Sequence, residues 1–118
     1  MSYDIRLINP ITTETIEADE PHLFAGGTYA VGGTTELWLS VTYNYADLFS
    51  RVFGRVGIRN IHGMTGAQSI PVLRHAAGQL DGTASNNYWD ATPGNAKAAL
   101  LQLLELAALG PNGVWDVN

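Results

Sequence analysis

The chain has 118 residues, of which 46% are hydrophobic and 14% are charged, and its formal net charge at pH 7 is −5. This length suits a single domain, residues 1–118, with a modest core. The acidic excess disfavours general nucleic-acid binding, which takes its affinity from basic patches. The sequence has no cysteine, which excludes disulfides, thiolate metal sites and a cysteine nucleophile.

The location of the protein is predicted from segments that the sequence lacks. No stretch reaches the roughly 18–20 apolar residues that cross a bilayer. The opening residues MSYDIRLIN do not place an apolar run after a basic segment, as a secretory signal does. We therefore expect a cytoplasmic protein without membrane association, and the small charged fraction favours a homo-oligomer.

The chain begins with two predicted strands. Residues 3–8 alternate between apolar and polar side chains, which is typical of a strand with one face on a core. Residues 15–19 show a similar alternation, and the turn residues Asn9 and Pro10 stand between the two segments. We therefore predict that these two strands form an antiparallel pair.

A hairpin and a longer strand are predicted next. Gly32 and Gly33 are typical of a two-residue hairpin loop, because glycine adopts positive φ at little cost, so residues 28–31 should pair with the residues from Thr34 onward. The strand alternates from Glu36, with one face formed by Leu37, Leu39, Val41, Tyr43 and Tyr45. Trp38 is the odd member of the polar face. It is either covered by another element or placed at an interface or ligand site.

Two of the predicted helices, the first and the last in the chain, have clear boundaries. Apolar residues at helical spacing cover 45–53, and Gly54 ends that helix. The last helix begins with Thr92 as its cap and Pro93 in its first turn, and it ends at Gly110. Its residues are apolar nearly all round, so a single sheet face would not bury it. We expect this helix to be central in the domain or shared between subunits.

The middle helix, which runs toward Leu80, has two alternative starts. Thr65 with Gln68 fits a capping box, but Pro71 would then lie deep enough to kink the helix. A start at Ser69 would put that proline in the first turn. A polar loop over residues 81–91 follows. Together these elements predict an α+β fold, in which a small, mostly antiparallel sheet from the N-terminal half packs against two or three helices from the C-terminal half.

Several separated blocks of the sequence resemble a group of small, uncharacterised proteins of bacteriophages and prophages. The blocks, in chain order, are YDIRL, GGTYAVGGT, LWLSVTYNY, GIRNIHGMTGAQSIPVL, YWDATPGNAKAALLQLL and PNGVWD. The resemblance covers nearly the whole chain and brings no established activity with it. It implies an accessory protein that acts in the cytoplasm of an infected or lysogenic bacterial host.

The patterns of known catalytic sites are incomplete in this chain. Residues 27–34 have the spacing of a P-loop, but Gly33 takes the place of the lysine that reaches the phosphates. His22, His62 and His75 are isolated from one another, without metal-ligand spacing, and no G-x-S-x-G elbow is present. We therefore expect no catalytic residues, no metal and no cofactor. These gaps argue against an enzyme without excluding one.

One group of residues indicates a binding site. Arginines recur every four residues from position 51 to position 59, among several aromatic residues. Such combinations hold phosphates and stack bases. The alternative is that the arginines pair with the acidic excess on the surface. The candidate ligand- or partner-binding residues are Trp38, Tyr43, Tyr45, Arg51, Arg55, Arg59, His62, Arg74, Tyr88 and Trp89.

Three functions remain open from the sequence. The first is a non-catalytic phage accessory protein that counters host defence, by binding a host protein or by sequestering a small nucleotide signal. The second is a small hydrolase acting on a nucleotide, with His62 or His75 working beside Asp47 or Asp90. The third is a minor structural or assembly protein of the virion. The first hypothesis agrees best with the missing catalytic pattern and the apolar last helix.

Overall fold

The computed structural model describes residues 1–22 and 33–118. The elements, in chain order, are β1 (Ser2–Ile8), β2 (Glu17–His22), β3 (Thr34–Glu36), β4 (Trp38–Thr42), α1 (Ala46–Phe53), α2 (Gly66–Gly78), α3 (Pro93–Leu109) and β5 (Val114–Val117). Short 3₁₀ turns at Tyr43–Tyr45 and Gly57–Ile61 flank α1. The chain has the predicted α+β fold, in which an antiparallel sheet and these three helices share one core.

The main sheet contains three antiparallel strands in the order β4–β1–β5. Tyr3 of β1 lies opposite Val41 of β4, and Leu7 of β1 lies opposite Trp115 of β5. These pairs place large apolar side chains from all three strands on the same face, where they are buried against the helices. The opposite face of this sheet carries polar side chains together with Trp38, as its alternation predicts.

The predicted pairing of residues 3–8 with 15–19 holds only next to the turn. It consists of an isolated bridge between Ile8 and Thr15 and a 2.9 Å hydrogen bond from the Ile16 amide to the Leu7 carbonyl. Beyond that point β2 pairs with β3 in a separate two-stranded sheet. The reason is the sequence of β2, EADEPH, whose acidic residues and proline offer no apolar face to set against β1. Strands β4 and β5 do offer one.

The region of the predicted hairpin is only partly described. The strand expected at 28–31 and Gly32 lie outside the described residues. Gly33 has a φ of 90°, which agrees with a loop glycine, and the residues that follow it form β3. The alternation after Glu36 is confirmed only in part. Leu37, Leu39 and Val41 are fully buried as predicted, but Ser40 and Thr42 of the expected polar face are buried too. The strand ends at Thr42, and Tyr43 and Tyr45 lie in a 3₁₀ turn in which Tyr43 is only partly buried.

The structure decides where the middle helix starts. The Thr65 hydroxyl accepts a 3.1 Å hydrogen bond from the Gln68 amide, and the Gln68 side chain accepts a 3.0 Å bond from the Thr65 amide, so the capping box is complete. Pro71 therefore lies inside α2. The carbonyl that loses a partner to this proline is that of Ala67, an exposed residue in the first turn of the helix.

The C-terminal segment forms the third strand of the main sheet, β5. Trp115 of β5 is buried, and its indole N–H donates a 2.7 Å hydrogen bond to the Ser69 hydroxyl on α2. That hydroxyl in turn donates a 2.8 Å bond to the Gly66 carbonyl. Both polar groups are satisfied inside the core, which is the usual requirement for a buried tryptophan.

The last helix has the predicted ends. The Thr92 hydroxyl accepts a hydrogen bond from the Asn95 amide, Pro93 occupies the first turn, and Gly110 follows the last residue. One side of α3 packs against α2 and the sheet, with Leu100, Leu103 and Leu106 fully buried. The other side, which includes Leu101, is not covered by any residue that the structure describes. No helix in the described part of the chain is long and apolar enough to cross a membrane.

Candidate functional site

Contacting aromatic rings form a row along one end of the domain. The ring centroids are separated by 4.6 Å for Tyr43–Tyr3, 6.3 Å for Tyr3–Phe49, 6.0 Å for Phe49–Tyr45, 5.6 Å for Tyr45–Tyr88 and 5.0 Å for Tyr88–Trp89. All these contacts are tilted or edge-to-face, which is the arrangement that aromatic quadrupoles favour. We call these residues the aromatic row. Four of the residues predicted as candidates, Tyr43, Tyr45, Tyr88 and Trp89, belong to it.

An arginine lies over the second ring of the aromatic row. The guanidinium carbon of Arg59 lies 5.0 Å from the centroid of the Tyr3 ring, which is within the range of a cation–π interaction. Burial raises the pKa of the Tyr3 phenol above its usual value, and the nearby guanidinium partly opposes this effect. The ring of Tyr3 is thus already occupied by an arginine of the same chain. Sequence reasoning missed Tyr3 because this contact joins residues that are far apart in the chain.

Tyr88, next to the Trp89 end of the aromatic row, is anchored to an edge of the sheet. The hydroxyl of Tyr88 accepts a 2.8 Å hydrogen bond from the Thr42 amide, and it lies 3.4 Å from the Ser40 carbonyl. Both backbone groups belong to β4, the edge strand of the main sheet. The Tyr45 hydroxyl donates a hydrogen bond to the Tyr88 carbonyl. Tyr88 is therefore held at its side chain and at its backbone.

Polar side chains fix the segment around Trp89. The Trp89 amide donates to the Asn87 side-chain oxygen at 3.1 Å, and the Asn44 side chain donates to the Trp89 carbonyl at 2.9 Å. The Asn95 side chain, at the start of α3, donates to the carbonyls of Asn87 at 2.9 Å and Asp90 at 3.0 Å. We call residues 85–90 the Trp89 loop. Its conformation is specified by several bonds from outside the loop.

The side chain of Trp89 is 51% exposed although its backbone is bonded on both sides. A large, rigid aromatic group held in one position loses little conformational freedom when it binds, which is how preorganisation improves affinity. Tryptophan is also among the residues that carry most of the binding energy at interfaces. The sequence contains a signal for this arrangement, because Asn and Asp in SNNYWD are residues that form local turns.

The remaining predicted candidates lie apart from the Trp89 loop. Trp38 is half-buried on the polar face of the main sheet, opposite Arg6, whose guanidinium lies 3.1 Å from the Asp116 carboxylate. The exposed candidates Arg51, Arg55 and Arg74 form no ion pair within 4.0 Å with any described residue, so the structure does not place them with the acidic excess. Arg74 lines a groove between α2 and α3.

His62 is placed next to a different carboxylate from the one expected. Its Nδ1 accepts a 3.1 Å hydrogen bond from the Val117 amide and lies 3.9 Å from the Asp116 carboxylate. Because Nδ1 is occupied by this backbone amide, that nitrogen is not available to act as a base. The other groups considered for a hydrolase lie on separate elements: His75 in the last turn of α2, Asp47 in the first turn of α1 and Asp90 in the Trp89 loop.

Four clefts in the described structure differ in the ligands that they suit. The cavity under Tyr88, lined also by Tyr45 and Gln102, has about 100 Å³, and small-molecule sites usually have roughly 300–1,000 Å³. A cleft of about 520 Å³ is lined by Glu17, Asp19 and Glu20, which repel phosphate. Two open grooves of about 350 Å³ lie between α1 and α2 and between α2 and α3. None of the four is lined by two of the candidate arginines.

The described residues also contain no cluster of three or more histidine, aspartate or glutamate side chains that could hold a metal ion. Comparisons with protein-family models, with curated proteins and with solved structures found no match for this chain.

Proposed function

We propose that this chain is a non-catalytic binding protein that contacts a partner protein through the Trp89 loop. The observation that carries the proposal is the half-exposed Trp89 side chain on a loop whose backbone is bonded to α3 and to Asn44. The resemblance of the sequence to phage and prophage proteins supplies the context. In that context the protein acts as a homo-oligomer in the cytoplasm of a bacterial host and counters a host defence protein.

The size and charge of the clefts favour a protein over a small nucleotide as the partner. A nucleotide needs a concave site with basic groups for its phosphates. Of the four clefts described above, the one at the aromatic row is too small for a nucleotide and the largest is acidic. The two grooves of about 350 Å³ together offer a single candidate arginine, Arg74. A large, exposed aromatic side chain is instead typical of the anchors of protein–protein recognition.

The proposal is tested with two tryptophan variants. Wild-type protein, Trp89→Ala and the matched control Trp38→Ala are used as baits in lysate from a bacterial host, and captured proteins are identified by mass spectrometry. We expect at least one protein to bind wild type and Trp38→Ala but not Trp89→Ala. The interaction is then measured with the purified partner, where loss of a hot-spot tryptophan costs about 2 kcal/mol or more, or roughly 30-fold in Kd.

Two outcomes would contradict the proposal. One is that every captured protein binds Trp89→Ala as well as wild type, which would remove the Trp89 loop as the binding surface. The other is a nucleotide released by denaturing the purified wild-type protein and identified by its mass, which would favour the nucleotide hypothesis instead. A thermal melt of each variant shows that a lost interaction does not come from unfolding.

A further inference from the structure

The groove between α2 and α3 is apolar but has one charge on each wall. Its lining residues are Ile70, Arg74, Leu101, Leu104, Glu105 and Ala108, and its volume is about 350 Å³. We call it the α2–α3 groove. Leu101 is 45% exposed there, and it lies beside the partly buried Ile70 and Leu104, so the apolar surface is a contiguous patch and not a single side chain. The groove therefore leaves apolar surface without a cover among the described residues.

The two charges of the α2–α3 groove have no partner within the described chain. Arg74 stands on the α2 wall and Glu105 on the α3 wall, and neither makes an ion pair within 4.0 Å with any described residue. The other charged residue of α3 is Lys97, whose ammonium donates a 3.3 Å hydrogen bond to the Leu80 carbonyl. Arg74 and Glu105 are thus the free charges of this surface, and they have opposite signs.

We propose that a second copy of this chain docks into the α2–α3 groove about a two-fold axis. A two-fold interface brings the same patch of both subunits together. Each contact between a residue of one wall and a residue of the partner's opposite wall therefore occurs two times, once on each side of the axis. Arg74 then faces the partner's Glu105, and the reciprocal pair forms at the same time. The charge balance selects a second copy as the occupant, because self-docking requires a patch that is complementary to itself.

The side chains of α3 also suit close packing of two copies. Ala98 and Ala108 lie on the exposed side of α3, together with Leu101. Small residues allow two helices to approach to about 8–10 Å between their axes. In this arrangement Leu101 of each subunit fills the partner's groove, and the apolar wall of α3 leaves water. The inference rests on the homo-oligomer included in the proposed function and identifies its interface.

The interface is tested by reversing its two charges separately. The mass of wild-type protein in solution is measured by sedimentation or light scattering at about 100 µM, where a dimer with a micromolar Kd is mostly assembled. We expect twice the chain mass of 12.7 kDa. Arg74→Glu makes both walls acidic, and Glu105→Arg makes both basic. We expect each single variant to be monomeric, because like charges then face each other across the axis.

Two rescue experiments distinguish this interface from a general effect of charge. The double variant Arg74→Glu/Glu105→Arg restores the complementary pairs and should dimerise like wild type. A mixture of the two single variants should form a heterodimer, visible in native mass spectrometry, because both of its cross-pairs are attractive. Circular dichroism confirms that these exposed substitutions leave the fold intact.

The outcomes of these experiments separate the interface from the oligomeric state. A wild-type dimer whose charge variants also dimerise, or a mixture that stays monomeric, would overturn the α2–α3 groove as the interface while leaving the homo-oligomer in place. Monomeric wild-type protein would overturn both of these. Partner binding through Trp89 is measured separately in the bait experiment, and Trp89→Ala should remain dimeric in solution.

Discussion

The hydroxyl of Tyr88 connects the Trp89 loop to the sheet, and its removal is the most informative stability test. In Tyr88→Phe the ring keeps its packing against Tyr45 and Trp89, so only the hydroxyl is lost. The amide of Thr42, a residue only 1% exposed, then loses its 2.8 Å acceptor. Leaving a buried donor without a partner costs about 1–3 kcal/mol. We expect the free energy of unfolding to fall by that amount.

The expected shift in melting temperature follows from the size of the chain. At about 2.1 cal/mol/K per residue, a domain of this length has an unfolding entropy near 250 cal/mol/K, so 1 kcal/mol corresponds to about 4 °C. Tyr88→Phe should therefore lower Tm by roughly 4–12 °C, measured by circular dichroism and checked by urea unfolding. The matched control is Tyr43→Phe, whose hydroxyl bonds to no described residue.

The control should change stability by less than about 0.5 kcal/mol, as is usual for a substitution that removes no buried bond. If Tyr88→Phe were as stable as wild type, or no less stable than Tyr43→Phe, the hydroxyl would not be holding the sheet edge. The loop would then owe its conformation to the asparagine bonds alone. In that case the argument for a preorganised Trp89 would lose one of its supports.

Further predictions concern the core and the pH dependence of stability. Ser69→Ala removes the acceptor of the buried Trp115 N–H and should cost about 1–3 kcal/mol in urea unfolding, with a change in tryptophan fluorescence. Gly66→Ala would place a Cβ 2.4 Å from a backbone carbonyl oxygen and should cost about 1–3 kcal/mol, whereas Gly78→Ala in the same helix, with nothing within 4 Å, should be tolerated. Burial raises the pKa of Tyr45, so the folded state holds that proton more tightly than the unfolded state. The contribution of Tyr45 to the free energy of unfolding should therefore be fully present below pH about 10 and fall as the pH rises above it. Tyr45→Phe should weaken this fall.

Features specified by residues close together in the chain were predictable. The start of α3 at Thr92 and Pro93 and the end of α1 at Gly54 follow from capping rules, which involve only neighbouring residues. The buried face of β4 follows from alternation. For α2 two local rules competed at Thr65 and Pro71, and the sequence could not rank the capping box against the internal proline.

The candidate site was predictable only in part. The aromatic residues Tyr45, Tyr88 and Trp89 stand out in the sequence and do come together. The arginines were expected to join them, and among the described residues a cation–π contact is formed by Arg59 on the ring of Tyr3. Which arginine meets which ring depends on how α1 and the following turn are oriented against β1, and no local pattern encodes that orientation.

The amino-acid sequence by itself determined the fold class, the core faces and most of the helix ends, because these follow from periodicity and from contacts within a few residues. Only the tertiary structure decided that β1 pairs with β4 and β5 and not with β2. Strands that are distant in the chain pair where they bury the most apolar surface together. Strands β4 and β5 contribute Leu39 and Trp115 to that surface, whereas β2 is acidic. The same long-range packing leaves Trp89 and the α2–α3 groove on the surface, where partners can reach them.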